Sequence, residues 1–129
     1  MKKIKNCSIL IKYPDMEREF DHLTQRTRAI VLYASDLLFR NFNCIPIWTS
    51  FYRADNKKSV HYFMRGADLS RRVIDISKHV EIRLLTDKES KSIVDNINKV
   101  FPYGKKNYKS CIFHKVKGSE YHFHCQSKE

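Results

Sequence analysis

The chain carries His61 and Asp68 seven residues apart in the run Ser59-Val60-His61-Tyr62-Phe63-Met64-Arg65-Gly66-Ala67-Asp68, and His122-Phe123-His124 near its far end. Imidazole nitrogen and carboxylate oxygen are donors that zinc accepts, and a catalytic zinc takes three protein ligands with the fourth position left to water. His61, Asp68 and His124 would supply such a set, and its chemistry would be metal-assisted hydrolysis. The sequence has six histidines, His22, His61, His79, His114, His122 and His124, so spacing by itself selects no one triad.

The elements that must position these groups can be read from periodicity. Along Tyr121 to Gln126 a strand would put Glu120, His122 and His124 on one face and Tyr121, Phe123 and Cys125 on the other. Ser110 to Val116 reads as its antiparallel neighbour through the turn Lys117-Gly118-Ser119, which brings His114 toward the H-x-H strand. Gly66 to Ser70 reads as a short strand, and Ile47 to Tyr52, rich in aromatic and β-branched residues, as a strand that delivers Arg53 to a loop. Cys7 to Tyr13 has strand character, and Pro14 with Asp15, Glu17, Arg18 and Glu19 reads as a connection.

Two helices stand out. Ile30, Tyr33, Ala34, Leu37, Leu38 and Phe42 recur at three- and four-residue steps over roughly 24 to 42, with Thr24 as cap. Thr86-Asp87-Lys88-Glu89 has capping-box spacing, opening a helix whose inward side carries Ile93, Ile97, Val100 and Phe101, with Pro102 and Gly104 as its stop. The stretch from Arg72 to Leu85 shows no decisive period. The fold class expected is α+β: a small antiparallel sheet carrying the zinc site, two main helices packed on one side, and a cleft on the other.

Thr49-Ser50-Phe51-Tyr52-Arg53, then Ser59-Val60-His61 and Arg65-Gly66-Ala67-Asp68, follow roughly the pattern T-S-x-Y-R, S-x-H-x-x-G-R-A-x-D. This resembles the zinc peptidases of the D-alanyl-D-alanine carboxypeptidase and phage endolysin type. His122-Phe123-His124-Cys125-Gln126 is similar to the H-x-H strand of relatives in the same superfamily, which includes lysostaphin-type and hedgehog-like domains. The resemblance spans 49 to 68 and 120 to 126. It implies a zinc cofactor on His61, Asp68 and His124, with Arg53 holding a substrate carbonyl or carboxylate and Ser59 bracing the site. It also implies a metallopeptidase acting on an amide bond in peptidoglycan peptides. Met64 stands where the family usually has glycine, and Gly66 where alanine is common. The carboxypeptidases place an acid three positions before the last histidine ligand, and Tyr121 occupies that place. Glu120 and His122 are therefore alternative acid/base groups, Glu120 ahead because a carboxylate beside the metal can take and return a proton.

A length of 129 residues suits one domain, 1–129. The short apolar run Ile9-Leu10-Ile11 ends at Lys12, so neither a secretory leader nor a membrane span is expected. That suits synthesis in the cytoplasm, with release to the cell wall if the chain is a phage lysin. Cys7, Cys44, Cys111 and Cys125 are widely spaced, which favours reduced thiols over a disulfide scaffold. The net charge of +11 draws the chain to polyanions. Two rival readings follow: a zinc-binding relative without turnover, and a basic nucleic-acid-binding module built on Lys105-Lys106-Asn107-Tyr108-Lys109, which would leave the histidine spacing unexplained.

Overall fold

The computed structural model describes residues 2–3, 9–55, 57–115, 118 and 120–129. In chain order the elements are β1 (Lys2–Lys3), β2 (Leu10–Ile11), α1 (Met16–His22), α2 (Gln25–Phe42), β3 (Cys44–Ile45), β4 (Ile47–Ser50) and β5 (Gly66–Ser70). They continue with β6 (Arg72–Asp75), β7 (Glu81–Leu84), α3 (Asp87–Val100), β8 (Cys111–Lys115) and β9 (Tyr121–Gln126). The architecture is the α+β mix expected from the sequence.

The ends of the two long helices are set locally. Thr24 Oγ1 accepts from the Thr27 N–H at the start of α2, and Asn43 closes it in the left-handed region at φ 52°, a conformation that asparagine tolerates better than most residues. In α3 the capping box is complete: the Glu89 N–H donates to Thr86 Oγ1 at 3.1 Å and the Thr86 N–H to Glu89 Oε1 at 2.9 Å. Ile93 and Ile97 are buried and Phe101 packs against the core. Val100, expected inward, is 49% exposed, because it follows the last full turn of the buried stripe.

Six strands form a sheet in the order β1-β2-β4-β5-β9-β8. All pairs are antiparallel except β2 with β4. α2 packs on β5 and β9, α3 on β8, and the two helices on each other. Alternation then divides the sheet into two faces. Trp48, Ala67, Leu69, Cys111, Phe123 and Cys125 are fully buried together with Ile30, Ala34, Leu38, Ile93 and Ile97 of the helices. Cys111 and Cys125 are direct cross-strand partners, their sulfurs 3.8 Å apart as free thiols. Cys7 and Ser8, and Val116, Lys117 and Ser119 at the final turn, lie outside the described residues.

Three features depart from the sequence reading. Glu17, Arg18 and Glu19, read as part of a connection, lie in the helix Met16–His22, held by Met16 and Phe20, which are buried four residues apart on one face. Arg72 to Leu85 forms a hairpin, and β3-β6-β7 make a second, three-stranded sheet. The strand after Pro46, read as far as Tyr52, ends at Ser50, and its pairing with β5 shifts register between Trp48 and Ser50.

Candidate metal centre

The register of three adjacent strands builds the polar face. Asp68 on β5 pairs with His124 on β9, and Ser70 with His122. His124 and His122 in turn pair with Ile112 and His114 on β8. Since paired residues share a face, Asp68, His124, His122 and His114 all stand opposite the helices.

His61 arrives from outside the sheet. It sits in a tight turn in which the Phe63 N–H donates to the Val60 carbonyl at 3.2 Å, and the Arg65 N–H to the same carbonyl at 2.9 Å. Met64 takes the left-handed conformation at φ 58°, the conformation glycine would adopt there without strain. Its side chain packs against the core and is not among the residues lining the cavity described below. Ser59 Oγ accepts from the His61 N–H at 3.2 Å, so Ser59 holds the turn that presents the ring. Gly66 lies beneath that turn: a Cβ there would come within 2.7 Å of Val60 Cγ2 and 3.3 Å of His61 Cδ2.

His61, Asp68 and His124 offer ligand atoms that all lie within 4.8 Å of one another. His61 Nε2 is 3.2 Å and His124 Nδ1 3.0 Å from Asp68 Oδ1. His61 is fully buried and Asp68 nearly so. His61 Nδ1 donates to the Phe51 carbonyl at 2.8 Å. A carbonyl only accepts, so in the neutral ring Nε2 is a bare lone pair. That buried atom has no hydrogen-bond partner among the described residues. A lone pair and a carboxylate oxygen 3.2 Å apart repel unless a cation joins them, and the donor set, two imidazoles and one carboxylate, fits a divalent metal ion.

The cluster opens on a cavity of about 950 Å³ lined also by Lys12, Arg53, Arg72, His114, Glu120 and His122. Arg53 Nη2 stands 3.7 Å from Asp68 Oδ2, with about half its side chain exposed. His122 Nε2 lies 4.0 Å from Asp68 Oδ1. Glu120 precedes β9, in the cavity wall, and its two oxygens take Arg72 Nη2 at 3.0 Å and Nε at 3.3 Å. That guanidinium lowers the pKa of Glu120, weakening it as a base. His114 stacks edge-on against His122 at 4.7 Å between centroids. Its buried Nε2 is without a hydrogen bond among the described residues, and burial, then the charges of His122 and His124, lower its pKa.

Sequence motifs do not single out Gln126, although it lies two residues beyond His124 on the same strand face; the alternation that selects His122 and His124 extends to it. The Phe51 carbonyl carries no signal at all, since any residue offers one. His22 and His79 are exposed. Near the basic stretch 105–109, Tyr103 and Tyr108 stack on each other at 5.4 Å, with Lys105 Nζ 4.8 Å from the Tyr108 ring centroid. Among the described residues no helix is long and apolar enough to cross a membrane. Comparison of the chain with protein-family models, curated proteins and solved structures finds no match in any of the three.

Proposed function

We propose that this protein is a zinc-dependent peptidase that hydrolyses an amide bond in bacterial peptidoglycan peptides, with His61, Asp68 and His124 as the metal ligands. The observation that carries the reading is the buried Nε2 lone pair of His61, aimed with His124 Nδ1 at one oxygen of Asp68 beside an open cavity. The peptide substrate follows from the resemblance of 49–68 and 120–126 to wall-degrading zinc peptidases. Two features of the cavity agree with it. Its volume is of the size that takes a short peptide, and Lys12 and Arg53 on its wall favour a substrate bearing carboxylates.

Zinc, when bound, lowers the pKa of its water from about 15.7 to about 7 and polarises a carbonyl. The chain supplies the rest. Arg53, beside the second oxygen of Asp68, is placed to hold a substrate carbonyl or carboxylate through its guanidinium. Of the two acid/base candidates, His122 is the better placed to move a proton, since its Nε2 faces Asp68 whereas the Glu120 carboxylate is engaged by Arg72. Ser59 and the Phe51 carbonyl keep the His61 ring in place.

Metal analysis of the purified protein, coupled to mass spectrometry of digested peptidoglycan, tests the reading. Cleavage that disappears with chelator, returns with zinc and is missing in His61→Ala is the expected result. Bound zinc with intact wall peptides would identify a relative without turnover. Salt-sensitive nucleic-acid binding by a metal-free protein would replace the proposal altogether.

A further inference from the structure

We infer that Gln126 is a positioning residue for the metal centre: its amide oxygen takes the Nε2 proton of His124 and so favours Nδ1 as the nitrogen presented to the metal. The inference rests on the ligand set proposed above, and it starts from hydrogen bonds on the outer side of the ring.

His124 Nε2 lies 3.3 Å from Gln126 Oε1. An amide end can be read either way round, so by itself this contact leaves the ring proton undecided. The other end of the amide decides it. Gln126 Nε2 lies 2.8 Å from the Lys109 carbonyl, which can only accept. The NH₂ of Gln126 therefore points to Lys109 and its oxygen to His124, an acceptor that is satisfied only when the ring carries a proton on Nε2. Nδ1 lies 3.0 Å from Asp68 Oδ1, an oxygen that accepts a ring proton when no metal is bound, so the two acceptors compete for the ring and Gln126 favours the form that leaves Nδ1 to a metal.

The backbone makes this orientation reliable. Gln126 is the last residue of β9, paired to Gly66, and its own N–H donates to the Ser110 carbonyl at 2.8 Å. The residue is thus tied to the start of β8 by main chain and to Lys109 by side chain. His61 is treated the same way by a different device, its Nδ1 proton given to the Phe51 carbonyl. Each ring therefore turns its outer nitrogen to a neutral acceptor and its other nitrogen to Asp68, an arrangement that in metal sites orients the ligand and raises its basicity. With the amide reversed, the ring proton of His124 would sit on Nδ1, occupying the lone pair the metal needs.

The test uses the full chain as Gln126→Leu, which keeps the volume but offers no acceptor, and Gln126→Glu, which keeps an acceptor for the Nε2 proton. Zinc affinity is read by competition with a chromophoric chelator, and the His124 tautomer by ¹⁵N NMR of the imidazole in zinc-free protein. Gln126→Leu is expected to lose about 10- to 100-fold in zinc affinity and to shift the His124 ring proton from Nε2 toward Nδ1, with Gln126→Glu showing neither change. Unchanged affinity and tautomer in Gln126→Leu would overturn the inference, as would equal losses in both variants. A wild-type protein that takes no zinc would sink the proposed function, while the NMR measurement would still decide the role of Gln126.

Discussion

Arg83 and Asp68 each gather partners from distant parts of the chain, yet their charges are settled in different ways. Arg83 reaches from β7 to Asp75 at 2.6 Å and to both oxygens of Glu89 at 2.8 and 2.9 Å. One guanidinium thus answers two carboxylates and ties the second sheet to the first turn of α3. Asp68 instead faces two imidazole nitrogens, 3.2 and 3.0 Å away, at least one of them a buried lone pair with no partner among the described residues. The first cluster contains its own cation and is complete as a structural tie. The second has the donors to hold a cation from outside. A buried polar group left unmatched costs stability, so its presence at the floor of a cavity marks the candidate site.

The sharpest way to break the contrast is to remove a member of the Asp68 group. His61→Ala should lower zinc affinity by more than about 100-fold, because even the outer partner of a ligand is worth about 10–100-fold, and peptide hydrolysis should fall with it. Wild-type zinc uptake by this variant, measured by chelator competition, would remove His61 from the centre. Next in size is Arg83→Met, which leaves Asp75 and Glu89 facing each other without their cation. Its unfolding free energy in denaturant titrations should drop by about 2–3 kcal/mol with zinc affinity unchanged; a loss of zinc binding instead would mean that the two clusters are coupled.

Gly66→Ala should have a smaller effect that touches both properties. Its Cβ would press on Val60 Cγ2 and on the His61 backbone, so a loss of about 1–2 kcal/mol and a roughly tenfold drop in zinc affinity are expected. Thermal melts and zinc titrations indistinguishable from wild type would show that the turn gives way freely. Alanine is the residue the resemblance makes common here, so the outcome also measures how far this turn departs from that pattern.

The smallest effect expected is on acid stability. Hydrogen bonding from Arg83 holds Glu89 at about 2, and bonds from Ser77, with Arg83 behind them, hold Asp75 at about 2. Both folded-state values lie below the ordinary carboxylate range, so the stability they contribute is whole above about pH 4.5 and is lost as pH falls toward 2. Melting temperature should decline through that window, less steeply in Arg83→Met because Glu89 no longer titrates low while Ser77 still holds Asp75. Parallel curves for the two proteins would contradict the assignment.

What the sequence disclosed depended on how local the signal was. The cap of α2 at Thr24, the capping box of α3 and the alternation along β9 are written within a few neighbouring residues, and all three are legible. The helix at Met16–His22 escapes a reading by period because its buried face is two residues wide and follows a proline. The β6-β7 hairpin is illegible for the opposite reason: Val73 and Leu85 are buried while Val80, Ile82 and Leu84 are exposed, so apolar residues fall on both faces and no period emerges. At the site, the residue types are visible, but the pairing of Asp68 with His124 and the delivery of His61 over Gly66 are long-range facts of register and turn geometry. Partners that act through a carbonyl, such as Phe51 and Lys109, have no sequence signature.

The two thiols of Cys111 and Cys125 meet beneath His124 on the side of the sheet away from solvent. An alkylating reagent reaches them only when this core opens, by the helices lifting from the sheet or by β8 and β9 parting, and either opening loosens the strand that carries the last proposed ligand. Site-resolved labelling of this pair therefore works as a clock for the lifetime of the assembled centre, and a tightly held ion should slow it.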